Sequence, residues 1–208
     1  MANPSNDPDL PLPAGLDSPA AVQEFLDGIA YSAEEIYRCP RTVLRDGKGH
    51  CYDGAILAAA ALRRIGFPPL IVEMLPWVGH DDDHILAVFK LDGRWGAVAK
   101  SNFVGLRYRD PVYVSLRELV MSYFDVFFNL NREKTLRGYT LPLNLARFDR
   151  LQWTTRDETM EDIATGLENS RKVTLLTPAM IERLTLLDQR SFEAGLMGSD
   201  PEGLRKAG

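Results

Sequence analysis

The stretch Gly49–Leu75, GHCYDGAILAAAALRRIGFPPLIVEML, decides how this chain is read. A cysteine, Cys51, stands directly before a run of alanines and leucines that is apolar on almost every side. A helix of that composition has no polar face to turn to water, so it must be buried on most sides. Gly66 and then Pro68-Pro69 stop it, and Leu70–Leu75 follows as an apolar strand. Unpaired N–H groups and the dipole at a helix start favour a thiolate, which predicts a depressed pKa at Cys51, in a range of roughly 3.5–7.5. The same N–H groups can receive the oxyanion formed when sulfur attacks a carbonyl. Gly49 and Gly54 keep bulk away from the sulfur. The plainer alternative for Cys51 is a small buried core residue.

Outward from this stretch, His84–Leu91 is a second apolar run, and Asp92-Gly93 is a hairpin turn leading into Arg94-Trp95-Gly96-Ala97-Val98. A histidine at the start of a strand can lean over the sheet edge toward a helix terminus. As a neutral imidazole it can take a thiol proton and later give it to a leaving amine. A further extended piece is expected over 107–114. Upstream, Ser18-Pro19 opens a helix carrying Val22, Phe25, Leu26 and Ile29, and a short helix is expected over 33–38, ending before Pro40. Downstream, Ser115/Glu118 and Thr155/Glu158 have capping-box spacing, and Thr177-Pro178 opens another helix. The aromatic stripe from Tyr123 to Phe128 has the spacing of core packing rather than of a pocket.

Bulk properties exclude several classes. A formal net charge of −5 leaves no basic surface for nucleic acid. The start of the chain lacks a basic, apolar leader, and no apolar run is long enough to span a bilayer, so the expectation is a cytoplasmic protein with no membrane partner. With 208 residues the fold does not depend on disulfides, and Cys39 is read as incidental beside Cys51. His80-Asp81-Asp82-Asp83-His84 invites a metal reading, but consecutive aspartates point in different directions, so neither a metal nor a cofactor is expected. His50, next to Cys51, is assigned to capping or the surface.

The run from Gly49 to Leu75 resembles the nucleophile segment of the transglutaminase-like superfamily: Gly-x-Cys, then Asp and Ala, a helix, Gly-aromatic-Pro and a strand. HILAVFKLDGRWGAV, from His84 to Val98, is similar to that family's histidine strand, hairpin and tryptophan strand. The resemblance implies an α+β, papain-like fold with the thiol-bearing helix packed on an antiparallel sheet. It also implies a cysteine protease-like or acyltransferase chemistry in which Cys51 attacks a peptide or protein amide and His84 shuttles the proton. The family's aspartate after the tryptophan is missing here: Gly96–Lys100 contains no acid. Asn102 or Ser101 would then orient His84, with Asp92 a third candidate, although strand parity puts Asn102 on the face opposite Trp95. Hydrolysis is expected ahead of transfer to an amine. A catalytically silent binding module of the same fold is the rival. The organisation expected is a loose arm over 1–17, a core over 18–114 and a mainly helical extension over 115–208.

Overall fold

The computed structural model describes residues 10–204. Ser18 accepts from the Ala21 N–H and proline follows it, so helix α1 (Pro19–Asp27) begins where the sequence places it. The next segment departs from expectation. After strand β1 (Ala30–Tyr31), residues 32–39 are not helical, and helix α2 (Pro40–Asp46) starts at the proline read as a stop. Proline at the first helical position loses nothing, because that N–H has no partner inside the helix. Residues 32–39 are instead tied down through Arg38, whose backbone N–H and guanidinium both donate to Asp53.

Strand β2 (Lys48–Gly49) pairs in parallel with β1 and leads into α3 (Cys51–Arg64), buried from Tyr52 to Leu62 as its composition predicts. Gly54 has a different use from the one expected. A Cβ there would lie 2.2 Å from the Lys100 Cβ, so this glycine admits the chain after the sheet rather than access to sulfur. Lys100 cannot easily withdraw, because its ammonium donates to the carbonyls of Leu26 and Ile29 at the end of α1.

Strands β3 (Leu70–Pro76), β4 (His84–Leu91), β5 (Arg94–Val98) and β6 (Arg109–Tyr113) form an antiparallel run in the order β6-β5-β4-β3. Asp92 and Gly93 both adopt positive φ, the backbone a two-residue hairpin of this hand needs. Ile71, Ile85, Ala87 and Phe89 face the cluster built on α1 and α3. Val72, Met74, Leu86 and Val88 face a second cluster on the other side. With α1 and α3 on one face and Leu119, Val120, Tyr123 and Phe127 on the other, β4 is covered on both sides, which is why its sequence is a continuous apolar run rather than an alternation.

That second layer begins with α4 (Leu116–Met121), capped by Ser115, and a 3₁₀ turn over Phe124–Val126. Tyr123 and Phe127 pack in the core there. The chain then re-enters the sheet. Strand β7 (Leu136–Thr140) pairs with β3, β8 (Leu143–Asn144) pairs with the start of β3, and, after α5 (Thr159–Glu168), β9 (Lys172–Thr174) pairs with β7. The two short helices α6 (Pro178–Ile181) and α7 (Gln189–Gly195) and a 3₁₀ turn at Pro201–Gly203 follow.

The division at 114 and the mainly helical extension therefore need correcting: residues 115–208 supply three strands of the same sheet. These strands hide in the sequence because they are short and because β7 carries Gly138 and Arg137 in place of an apolar alternation. Thr155 and Glu158 do not form a capping box; Glu158 is itself the residue before α5 and makes no capping bond. Residues 1–9 of the expected arm lie outside the described residues. Its remainder is fixed: Leu10 and Leu16 join the core, and Arg64 donates to the carbonyls of Leu12, Pro13 and Leu16. Among the described residues no helix is long and apolar enough to cross a membrane, and no group of three or more His, Cys, Asp or Glu could hold a metal ion.

Candidate active site

Asp53 sets the start of α3. Its carboxylate accepts from the His50 N–H at 3.2 Å, pinning the turn before Cys51, and from the Arg38 N–H at 2.8 Å, pinning the opposite rim. His50 turns its Nε2 to the Ile36 carbonyl at 3.1 Å, so it ties the rim to the helix and is not a partner of the thiol.

Cys51 is thus held at the first position of α3, largely buried, on a cleft of about 1050 Å³ that His84 also lines. Its sulfur lies 3.9 Å from the Asp83 carbonyl, and the backbone N–H groups of Tyr52 and Ile85 are close enough to favour its thiolate. The sulfur is therefore bracketed by the residues on either side of His84. In this state the polar partner of the sulfur is the Asp83 carbonyl.

The electrostatics run against the depressed thiol pKa expected from the helix start. Burial, and next the negative charge of Asp83, push Cys51 up to about 12, outweighing the two backbone N–H groups that favour the thiolate. Burial likewise holds His84 down to about 4. At rest the thiol and the imidazole are both neutral.

The residue expected to orient His84 does something else. The Asn102 amide donates to the Asp200 carbonyl at 2.9 Å and accepts from the Asp200 N–H at 2.7 Å, fastening the C-terminal turn to the sheet edge. Ser101 accepts from the Phe103 N–H, and Asp92 stays in its hairpin turn. The atom on His84 Nε2 is the main-chain carbonyl of Leu106, at 2.8 Å. A carbonyl can only accept, so Nε2 carries the proton and Nδ1 keeps a free lone pair. A main-chain acceptor has no side-chain signature, and nothing in the sequence around Leu106 could have pointed to it.

A second carboxyl was also missed. Glu73, on β3 and paired in register with Ile85, is pushed up to about 7 by burial and by Asp83. Asp83 is itself raised by burial. The lone acid inside LIVEML was the signal for it.

A comparison with protein-family models matches residues 16–99 to the transglutaminase-like superfamily. Over that span the chain is similar to the superfamily. The transglutaminase-like segment runs from the approach to α1 to the end of β5, so it contains both Cys51 and His84, while Leu106 and the whole second layer lie beyond it. No curated protein matches the chain. That similarity brings cysteine-dependent enzymes into consideration, within a fold of mixed helix and antiparallel sheet.

Proposed function

We propose that the protein is a cysteine-dependent acyl-transfer enzyme that hydrolyses a peptide or other amide through a thioester. The observation that carries this reading is the placement of the Cys51 sulfur, at the start of a buried helix and on the same cleft as His84, 3.9 Å from the Asp83 carbonyl. Attack begins from the neutral pair. The thiol turns from the Asp83 carbonyl to His84 Nδ1, which takes the proton as the sulfur–carbon bond forms. First-turn N–H groups of α3 receive the oxyanion. The carbon–nitrogen bond then breaks and the amine leaves with the proton from His84. Water attacks the thioester, passes a proton to His84, and the acid departs as the proton returns to sulfur.

A silent binding module is favoured by one feature, the lack of a carboxylate on His84. A main-chain carbonyl fixes the tautomer but stabilises the imidazolium less than a carboxylate does. Intact-mass measurement after mixing with a peptide library decides between the two. A transient acyl adduct on Cys51, lost in Cys51→Ala and slowed at least about 100-fold in His84→Gln, is expected of the enzyme. Binding without any adduct or turnover would establish the silent module instead.

A further inference from the structure

The cleft around Cys51 has a marked charge asymmetry. Eight carboxylates line it and, among the described residues, no lysine or arginine does. They come from four separate parts of the chain: the β1–α2 segment, the β3–β4 loop, the start of α5 and the C-terminal turn. Some are already committed. Glu34 is tied to Arg38 and Lys48, Asp157 to the Cys39 N–H and Thr42, and Asp81 to Thr135. Glu35 and Glu161 are exposed, and among the described residues neither is paired with a cation.

An aromatic wall adjoins these charges. The Tyr37 and Tyr52 rings lie 4.5 Å apart, with His50 edge-on to Tyr37 at 5.8 Å, all on the cleft. The Tyr37 hydroxyl is raised in pKa by burial and then by Asp83 and Glu161, which places the phenol in the field of both. Aromatic faces beside unneutralised carboxylates suit an ammonium or guanidinium on an apolar stem.

Resting on the reading of Cys51 as nucleophile, we infer that the cleft takes a cationic peptide, with lysine or arginine side chains flanking the amide presented to the thiol. The carboxylates draw the side-chain charges in, and the tyrosine wall covers their methylene stems. An acidic peptide meets repulsion on every side of the cleft.

Binding is read separately from turnover. Two fluorescent peptides of equal length, one with lysine and arginine and the other with glutamate in the same places, are titrated by anisotropy against full-length Cys51→Ala protein. The cationic peptide is expected to bind at least about tenfold more tightly, with the preference shrinking as salt rises to about 0.15 M. Glu35→Gln with Glu161→Gln should weaken it roughly three- to tenfold, whereas the charge-matched pair Asp92→Asn with Glu182→Gln, outside the cleft, should not. Equal affinity for the two peptides, no binding of the cationic one, or equal loss in both double variants overturns the inference. If the cationic peptide binds with the expected preference and the wild-type protein forms no acyl adduct, the acyl-transfer reading fails while the cationic cleft stands. If the protein is acylated at Cys51 without any charge preference, acyl transfer stands and the cationic cleft fails.

Discussion

His84 is 4% exposed, and its ring donates from Nε2 to the Leu106 carbonyl. Burial disfavours the imidazolium, so its protonation falls from the ordinary 6.5 to about 4. The unfolded chain therefore binds this proton first as pH drops. Stability is complete above about pH 6.5 and declines toward pH 4, a loss of about 3 kcal/mol from this group alone. Chemical denaturation of wild type and His84→Gln between those pH values checks this, since the decline should be much shallower in the variant. For Cys51 the shift is upward, so iodoacetamide labelling should rise about tenfold per pH unit from pH 6 to 9, tracking the thiolate. A rate that levels off below pH 8 would mean that the helix start outweighs burial. Cys39 is fully buried and should stay unlabelled in the folded protein. Cys51 and His84 are legible in the sequence because each stands at the start of a strongly patterned element. The partner of Asn102 is not, because reach along a strand says nothing about where an amide finds its acceptor, here a turn 98 positions away.

At the scale of elements, the contact between α3 and the chain after β5 depends on Gly54. Its missing side chain is the space that Lys100 occupies, and Lys100 is anchored by the carbonyls ending α1. Gly54→Ala should therefore destabilise by about 2–3 kcal/mol, despite alanine's better helix propensity, because overpacking outweighs it. A melting temperature equal to or above wild type would refute this. Asp53 joins α3 to the rim at Arg38, which is only 2% exposed. Asp53→Ala strips three hydrogen bonds and leaves that guanidinium with less compensation, and a loss of about 3–5 kcal/mol in chemical denaturation is expected. The helix itself is readable from GHCYDGAILAAAALRR. Residues 33–38 do not form the helix expected of them, since local propensity cannot register the pull of Asp53 on Arg38.

At the scale of the molecule, β3 lies between β4 and β7, so the sheet cannot be divided at residue 114. A chain ending there would leave β3 as a bare edge and uncover Val72, Met74, Leu86 and Val88. Expression of residues 1–114 is expected to yield aggregated protein without a cooperative thermal transition; a soluble, cooperatively melting fragment would contradict this. It would also lack Trp153, Met160 and Ile163, which close the other face of the core. The sequence by itself determined the buried helix, the hairpin and the placing of Cys51 and His84 at the starts of α3 and β4. All of these rest on periodicity, turn chemistry and spacing within about fifty residues. Only the tertiary structure decided the acceptor on His84, the neutral state of the Cys51–His84 pair, the acidic cleft and the return of the C-terminal half into the sheet. Those depend on burial and on main-chain atoms brought together from distant parts of the chain, and neither burial nor a backbone carbonyl is written in the identity of any one residue.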